Sequence, residues 1–221
     1  MRLILASSSP RRRALVASLG QPFDIVKPDI DEDIRRGEPP LDYVSRLSRE
    51  KAAAVVDQLH TSGQHETGEV VILAADTIVL SADTIGIDRD GVLLGKPRNV
   101  DEAWDMLKRL RDLPHEVYTA FTLHRSSEEH PFWMERVRTV VTMRPYTDDE
   151  IVAYIATGDP FDKAGGYAIQ HPGFHPVAHI DGCYNNVVGL PLCRVKNALA
   201  SVGWGEVTAS AGCDCEPFDL G

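Results

Sequence analysis

Residues 70–80 read Val-Val-Ile-Leu-Ala-Ala-Asp-Thr-Ile-Val-Leu, the stretch that most clearly indicates the fold. Its first six residues are all apolar, which predicts a central strand covered by other elements on both faces. The run ends at Asp76, and strand character resumes at residues 78–80. We therefore expect the Asp76 carboxylate to emerge at a strand end, where open α/β sheets place their ligands.

The segments around this strand alternate between helices and strands without a regular strand–helix–strand rhythm. Several adjacent strands, among them residues 116–125 and 132–143, have the pattern of antiparallel partners. We predict an α/β protein with a mixed, largely antiparallel, elongated sheet and flanking helices in two lobes. Residues 1–203 are predicted to form this domain, whose last helix starts around 186–190 and continues to about residue 202. Residues 204–221 are predicted to form a flexible tail.

The composition excludes some classes of function. The chain has 221 residues, with 23 Lys and Arg against 33 Asp and Glu, a net charge of −10. This charge argues against non-specific nucleic-acid binding, which depends on neutralising phosphates. No apolar run approaches the roughly 18 residues of a membrane-spanning helix, and the apolar start is too short for a secretion signal, so we expect a cytoplasmic protein. The four cysteines match no zinc-binding pattern, and we predict thiols rather than disulfides.

A hydroxyl-rich turn precedes the first predicted helix, where residues 7–12 read Ser-Ser-Ser-Pro-Arg-Arg. Ser9 has the character of an N-cap and Pro10 of a first helical residue. The N–H groups and the dipole of a helix start attract phosphate, and Arg11 and Arg12 add bidentate donors. The alternative interpretation is an ordinary capped helix with solvated arginines.

Two charged residues stand out against an apolar background. On the helix predicted for residues 41–60, Lys51 falls on the apolar stripe that includes Leu47 and Val55. Such a lysine either snorkels at the edge of the stripe or projects towards an anion in a cleft. Asp76 either holds a divalent ion or orients an attacking water, or it is a turn residue.

Two loops carry the remaining candidates. In Gly95-Lys96-Pro97 the lysine is held in a stiff turn, so its direction is fixed. In residues 161–170, Asp162 and Lys163 stand beside a Gly-Gly pair that lets a ligand approach the backbone. The amide of Gln170 suits the edge of a nucleobase. The alternatives are an ordinary hairpin and a flexible loop with a surface ion pair.

Seven short motifs follow one another along the chain: Ser-Ser-Ser-Pro-Arg-Arg at 7–12, Glu-Lys at 50–51, Ala-Asp-Thr at 75–77, Gly-Lys-Pro at 95–97, Asp-Lys-Ala-Gly-Gly-Tyr at 162–167, Ile-Gln at 169–170 and Val-Val-Gly-Leu-Pro at 187–191. In this order, the motifs resemble the Maf family of nucleotide pyrophosphatases. Each is weak alone, but their order over residues 2–202 is hard to explain by coincidence. The resemblance implies a fold related to inosine triphosphate pyrophosphatases, a divalent cation (Mg²⁺, Mn²⁺ or Co²⁺) and a homodimer.

The resemblance also implies roles for individual residues. Asp76 stands at the family's acid–base position, and we expect it to act in catalysis with Lys51 and Lys96. Glu32 matches an acidic position that is expected to hold the metal together with Asp76. The positions that match residues lining the triphosphate are Ser8, Arg12, Lys51, Lys96 and Lys163.

Three residues point to one branch of the family. The branch that acts on dTTP and UTP carries Arg after the Pro, Thr after the Asp and Gln after the Ile, as this chain does at Arg11, Thr77 and Gln170. The resemblance therefore implies hydrolysis of dTTP and UTP to the monophosphate and pyrophosphate. Two departures from the family pattern are Asp159, where Glu is usual, and His171 in place of Gly, which could tilt Gln170.

Two other functions remain open at this point. One is a pyrophosphatase for 7-methyl-GTP or for another purine or modified nucleotide. The same resemblance implies that the 7-methyl-GTP branch carries an aromatic residue after the Pro, Gln after the Asp and no Asp-Lys pair in the late loop, unlike this chain at Arg11, Thr77 and residues 162–163. A non-catalytic nucleotide-binding regulator of cell division would not need a metal-binding acid at Asp76. An assay of pyrophosphate release over a panel of nucleotides separates these possibilities.

Overall fold

A computed structural model of the chain describes residues 1–62, 69–81, 92–204 and 218–219. The strands within these ranges are β1 (Arg2–Ala6), β2 (Asp24–Val26), β3 (Val70–Ser81), β4 (Val92–Leu94), β5 (Pro114–Arg125), β6 (Trp133–Met143), β7 (Val177–Asp181) and β8 (Phe218–Asp219). They form one sheet in the order β2-β1-β3-β5-β6-β7-β8, with β4 paired to β3. β1 is parallel to β2 and β3, whereas the β3–β4, β6–β7 and β7–β8 pairs are antiparallel. The predicted mixed α/β sheet is confirmed.

The α-helices of the described ranges include the one predicted for residues 41–60, which extends one residue further at each end. They are α1 (Pro10–Ala17), α2 (Pro40–Thr61), α3 (Val100–Leu110), α4 (Asp148–Ala156), α5 (Tyr184–Val188) and α6 (Leu192–Ser201). The N-cap of α1 is Ser9, as predicted, and its side chain accepts a hydrogen bond from the Arg12 N–H. None of the described helices combines the length and apolar character needed to cross a membrane.

The chain divides into two compact units. Unit 1 comprises Met1–Asp76, Thr119–Val137 and Gly189–Cys213. Unit 2 comprises Thr77–Tyr118, Arg138–Val188 and Asp214–Gly221.

The core of unit 1 follows from the two-residue period of its parallel strands, because successive side chains of a strand point to opposite faces. One face packs against α1 and α6, and its strand residues include Leu3, Leu5, Val71, Leu73 and Ala75. The other face packs against α2, and its strand residues include Ile4, Ala6, Val70, Ile72 and Ala74. Asp76 has the same parity as Ile72 and Ala74, so its side chain faces α2. Both faces of this strand are covered, as its apolar run predicts.

Strand β3 continues through Asp76, and the prediction of a strand end at this residue is wrong. β1 stops at Ala6, which pairs with Ala74, so β3 passes Asp76 beyond the end of its parallel neighbour. The polar residue does not interrupt the strand because its carboxylate has a lysine partner on α2.

Two further predictions are corrected by the structure. The predicted last helix is two helices, because Gly189 adopts a φ of 125° and Pro191 follows it, a combination that a continuous helix does not accommodate. Cys183 is a buried thiol, but Cys193 is disulfide-bonded, contrary to the prediction of thiols. That prediction relied on cell compartment, which carries no information about which sulfur atoms meet in the fold. Cys213, Cys215 and most of the predicted tail lie outside the described residues, so the domain boundary at 203 stays a prediction.

Candidate active site

A buried ammonium group lies between two carboxylates in unit 1. Lys51 Nζ is 2.6 Å from Asp76 Oδ1 and 3.0 Å from Glu32 Oε1. The side chains of Lys51 and Asp76 are 7% and 13% exposed, whereas that of Glu32 is 51% exposed. The cluster therefore has a buried side, formed by the lysine and the aspartate, and an open side at the glutamate.

The helix that carries Lys51 presents the apolar stripe predicted from the sequence. Val44, Leu47 and Val55 are all buried together with Lys51 on α2. The lysine does not snorkel to solvent, since its Nζ donates a hydrogen bond to the Asp76 carboxylate. The snorkelling alternative for Lys51 is therefore wrong, and the projection of its ammonium towards an anion in a cleft stays a prediction.

One oxygen of Asp76 remains available for chemistry. Oδ1 accepts the hydrogen bond from Lys51, and within the described ranges no hydrogen bond reaches Oδ2. A carboxylate held by one oxygen can accept a proton from water, or coordinate a cation, through the other. The contact with Lys51 on α2 thus orients the Asp76 carboxylate and uses only one of its two oxygens within the described residues.

Tyr43 is a residue of this cluster that the sequence analysis missed. Its hydroxyl donates a hydrogen bond of 2.8 Å to the backbone carbonyl of Glu32. Burial, followed by the charges of Asp76 and Glu32, raises the pKa of Tyr43 to about 12, so the hydroxyl keeps its proton at neutral pH. Its signal in the sequence was its position two turns before Lys51 on α2, and an isolated tyrosine carries too little information to be selected.

The start of α1 contributes hydroxyl and guanidinium groups to unit 1. Ser8 is exposed, and Arg11 and Arg12 are half-buried. The Arg12 Nε donates a hydrogen bond of 2.8 Å to the carbonyl of Gly189. Burial lowers the pKa of Arg12, and the negative charge of Asp76 opposes this effect. Arg12 is therefore close enough to Asp76 for their charges to interact.

Lys163 is enclosed by acceptors of its own loop in unit 2. Its Nζ donates to the Asp159 carbonyl at 2.6 Å, to Asp159 Oδ1 at 2.8 Å and to Asp162 Oδ1 at 2.6 Å. Asp159 also accepts a hydrogen bond of 2.9 Å from Tyr154, whose oxygen accepts the N–H of Ala168. This lysine holds the loop together, and a phosphate would have to replace one of its carboxylates.

The other predicted residues of unit 2 have different environments. Lys96 is exposed and makes no hydrogen bond or ion pair within the described residues, and Thr77 is half-buried. Gln170 is exposed, and its side chain hydrogen-bonds the Tyr184 hydroxyl. His171 turns back on its own loop, where its Nδ1 accepts the N–H of Phe174 at 2.9 Å.

The acidic residues of unit 1 fit a divalent cation as a partial set of ligands. In the described part of the chain, no group of three or more His, Cys, Asp or Glu side chains is arranged to hold a metal ion. Glu32 and Asp76 nevertheless converge on one point, the Lys51 Nζ. Mg²⁺ is commonly held by one or two carboxylates together with substrate phosphates and waters. The donor set therefore suits a hard cation that a phosphorylated substrate helps to bind.

Comparison with known proteins gives consistent matches over nearly the whole chain. The family model described as "Maf-like protein" matches residues 2–202. A dTTP/UTP pyrophosphatase of Citrifermentans bemidjiense is 43% identical over 91% of this chain and 95% of its own length. Proteins with the same name from Geobacter sp. and Carboxydothermus hydrogenoformans are 44% and 40% identical, over 91% and 92% of this chain and 95% and 100% of their own lengths.

A solved structure of a nucleoside-triphosphatase, or dITP/XTP pyrophosphatase, from Mycobacterium abscessus shows a weaker likeness. It is 16% identical, with a TM-score of 0.35, over 66% of this chain and 76% of its own.

Proposed function

Because the chain belongs to the Maf-like protein family, we propose that it is a nucleoside triphosphate pyrophosphatase that hydrolyses dTTP and UTP to the monophosphate and pyrophosphate. Support comes from relatives of that name, which are 40–44% identical over more than nine-tenths of the chain. The structural observation that carries the proposal is the buried Lys51–Asp76 pair with Glu32 at its open side.

In the proposed reaction, a water molecule attacks the α-phosphorus and pyrophosphate leaves. Asp76 accepts a proton from this water, because one of its oxygens is fixed by Lys51 and the other has no partner in the described ranges. Asp76 lies on the face of β3 that packs against α2, and this placement fixes the direction of its carboxylate. A fixed carboxylate favours the reaction because the attacking oxygen must be aligned with the bond that breaks.

The triphosphate carries a large negative charge, which cationic groups must balance. The N-terminus of α1 offers backbone N–H groups, and Ser8, Arg11 and Arg12 lie in or next to its first turn. No acidic residue stands in that first turn, so the local charge favours an anion against the overall charge of −10. We assign phosphate binding to these residues.

Glu32 and Asp76 are the residues that would hold a divalent cation. When bound, the cation neutralises phosphate oxygens and favours departure of pyrophosphate. Lys51 then keeps Asp76 and Glu32 directed at the same place from the buried side. Thr77, Lys96, Lys163 and Gln170 keep their predicted roles in catalysis or substrate binding, with the enclosed Lys163 expected to act mainly by holding its loop.

The family resemblance also leads us to propose a cytoplasmic homodimer. Sedimentation velocity on the purified chain tests the assembly, and a single monomer boundary at micromolar concentration would contradict it. The function itself is tested by incubating the protein with Mg²⁺ or Mn²⁺ and dTTP and then assaying pyrophosphate. Absence of pyrophosphate with any nucleotide would favour a non-catalytic binder.

A further inference from the structure

The segment that carries Glu32 is fastened to α2 at two consecutive backbone carbonyls. Tyr43 Oη donates to the Glu32 carbonyl at 2.8 Å, and Arg46 Nη2 donates to the Asp33 carbonyl at 3.0 Å. Residues 29–33 read Asp-Ile-Asp-Glu-Asp, and we refer to them as the acidic segment. The acidic segment contains no helix or strand, so its backbone direction depends on contacts with neighbouring elements.

Arg46 is held rigidly enough to act as such an anchor. Its Nε donates to Glu38 Oε1 at 2.6 Å, its Nη2 to Glu38 Oε2 at 2.8 Å and its Nη1 to Glu50 Oε2 at 2.9 Å. The residue is only 8% exposed. These hydrogen bonds and the charge of Arg46 lower the pKa of Glu38 to about 2, which keeps the carboxylate ionised. Glu38 and Glu50 therefore fix the orientation of the planar guanidinium that donates to the acidic segment.

The contact between Lys51 and Glu32 is too exposed to hold the acidic segment by itself. The Glu32 side chain is half exposed, and ion pairs in such surroundings contribute little once side-chain entropy and screening are counted. Tyr43, Arg46 and Lys51 all belong to α2, so one helix carries both the ammonium and the two anchors of its glutamate partner. The distance between the Glu32 carboxylate and the Lys51 ammonium therefore depends on side chains of a single helix.

We propose that Tyr43 and Arg46 are positioning residues for Glu32, fixing the acidic segment on α2 so that the Glu32 carboxylate meets the Lys51–Asp76 pair. The role of Glu32 in the reaction rests on the proposed function, whereas the anchoring itself does not. Neither residue touches the Asp76 carboxylate through a hydrogen bond, so both act through the backbone of the acidic segment. Positioning groups behind metal ligands typically change affinity or activity about ten-fold or more.

The test uses two mild variants. Complete removal of Arg46 would leave the buried Glu38 carboxylate without its cation, and the resulting loss of stability would obscure any loss of positioning. Tyr43→Phe removes one hydroxyl, and Arg46→Lys keeps the charge but loses the planar fork. Arg125→Lys is the matched control, since Arg125 also pairs with two carboxylates in unit 1, those of Glu69 and Glu128.

The first readout is amide hydrogen exchange of residues 29–36, measured by mass spectrometry on the full chain without nucleotide. We expect faster exchange in Tyr43→Phe and Arg46→Lys, and no change in Arg125→Lys. Exchange equal to wild type in both variants would overturn the anchoring, whether or not the protein hydrolyses dTTP.

The second readout is a double-mutant cycle on dTTP hydrolysis. We expect Arg46→Lys to lower kcat about ten-fold with KM within about two-fold, and to have no further effect in a Glu32→Gln background. Equal losses in both backgrounds, or no loss in either, would overturn the positioning role. An inactive wild type would count against the proposed function, and the exchange experiment would still decide the anchoring.

Discussion

Lys51 Nζ lies 2.6 Å from Asp76 Oδ1, and both side chains are almost fully buried. The contact joins the apolar stripe of α2 to the one acidic residue of β3. Neither element alone explains the pair, because a buried charge is stable only when an opposite charge meets it. The lysine and the aspartate therefore depend on each other for stability as well as for the proposed chemistry.

Replacing Lys51 with Met is expected to destabilise the protein and to reduce activity. The variant leaves the Asp76 carboxylate buried without its cation, which costs about 3–5 kcal/mol of unfolding free energy. Asp76→Asn is the comparison, and it is expected to cost less because Lys51 keeps its contact with Glu32 at 3.0 Å. Urea unfolding of the three proteins checks the order. An unfolding midpoint of Lys51→Met equal to that of wild type would contradict the account.

Lys96 and Lys163 are expected to respond differently to substitution by Met. Lys96 is exposed, so Lys96→Met should leave the free energy of unfolding within about 0.5 kcal/mol while lowering kcat/KM for dTTP. Lys163→Met removes three hydrogen bonds inside its loop and should cost about 1–3 kcal/mol of stability. Urea unfolding and kinetics on both variants give the comparison. A Lys163→Met protein as stable as wild type would show that the enclosed lysine does not hold its loop.

Tyr184→Phe is expected to weaken base selectivity. The change removes the hydroxyl that hydrogen-bonds Gln170, the residue expected to read the edge of the base. Loss of one such hydrogen bond, about 1 kcal/mol, should lower the ratio of kcat/KM for dTTP over GTP about five-fold. Tyr118→Phe is the control, because its hydroxyl bonds Glu116 instead. If the ratio is the same in both variants, Tyr184 does not position Gln170.

Glu38 is expected to make stability depend on pH in the acid range. Its hydrogen bonds to Arg46 lower its pKa from 4.5 to about 2 in the folded protein. Ionised Glu38 therefore stabilises the folded state fully above about pH 4.5. This contribution to the free energy of unfolding is lost as the pH falls towards 2, where Glu38 becomes protonated in the folded protein as well. The difference in urea midpoint between wild type and Glu38→Gln should narrow from pH 6 to pH 3. A difference that stays constant between these pH values would contradict the role assigned to the Glu38–Arg46 contact. Glu129→Gln is the control, because Glu129 is exposed.

The sequence predicts those site residues that interrupt a periodic pattern of apolar residues. Lys51 stands out because it interrupts an apolar stripe of period 3.6, and its burial is confirmed. Asp76 stands out because it interrupts an apolar strand, but a single-sequence pattern cannot tell a strand end from a charge that is neutralised inside a longer strand. The parity of β3 and the lysine partner on α2 decide between them, and both are tertiary properties.

Contacts within irregular segments are not predictable in this way. The enclosure of Lys163 by Asp159 and Asp162 depends on short 3₁₀ turns whose hydrogen bonds follow no residue period. Tyr43 and Arg46 reach carbonyl groups of the acidic segment, and a carbonyl has no signature in the sequence. His171 departs from the family pattern, yet it accepts the N–H groups of Gly173 and Phe174 and so stabilises its own turn.

The central claim is tested most directly by measuring pyrophosphate release from dTTP, UTP, GTP and 7-methyl-GTP, with Mg²⁺ or Mn²⁺, by wild type and by Asp76→Asn. We expect wild type to release pyrophosphate and the monophosphate in equal amounts, faster from dTTP and UTP than from the two purine nucleotides. Asp76→Asn should be slower by about 10²-fold or more while remaining folded. Near wild-type hydrolysis by Asp76→Asn, or a preference for 7-methyl-GTP, would contradict the account.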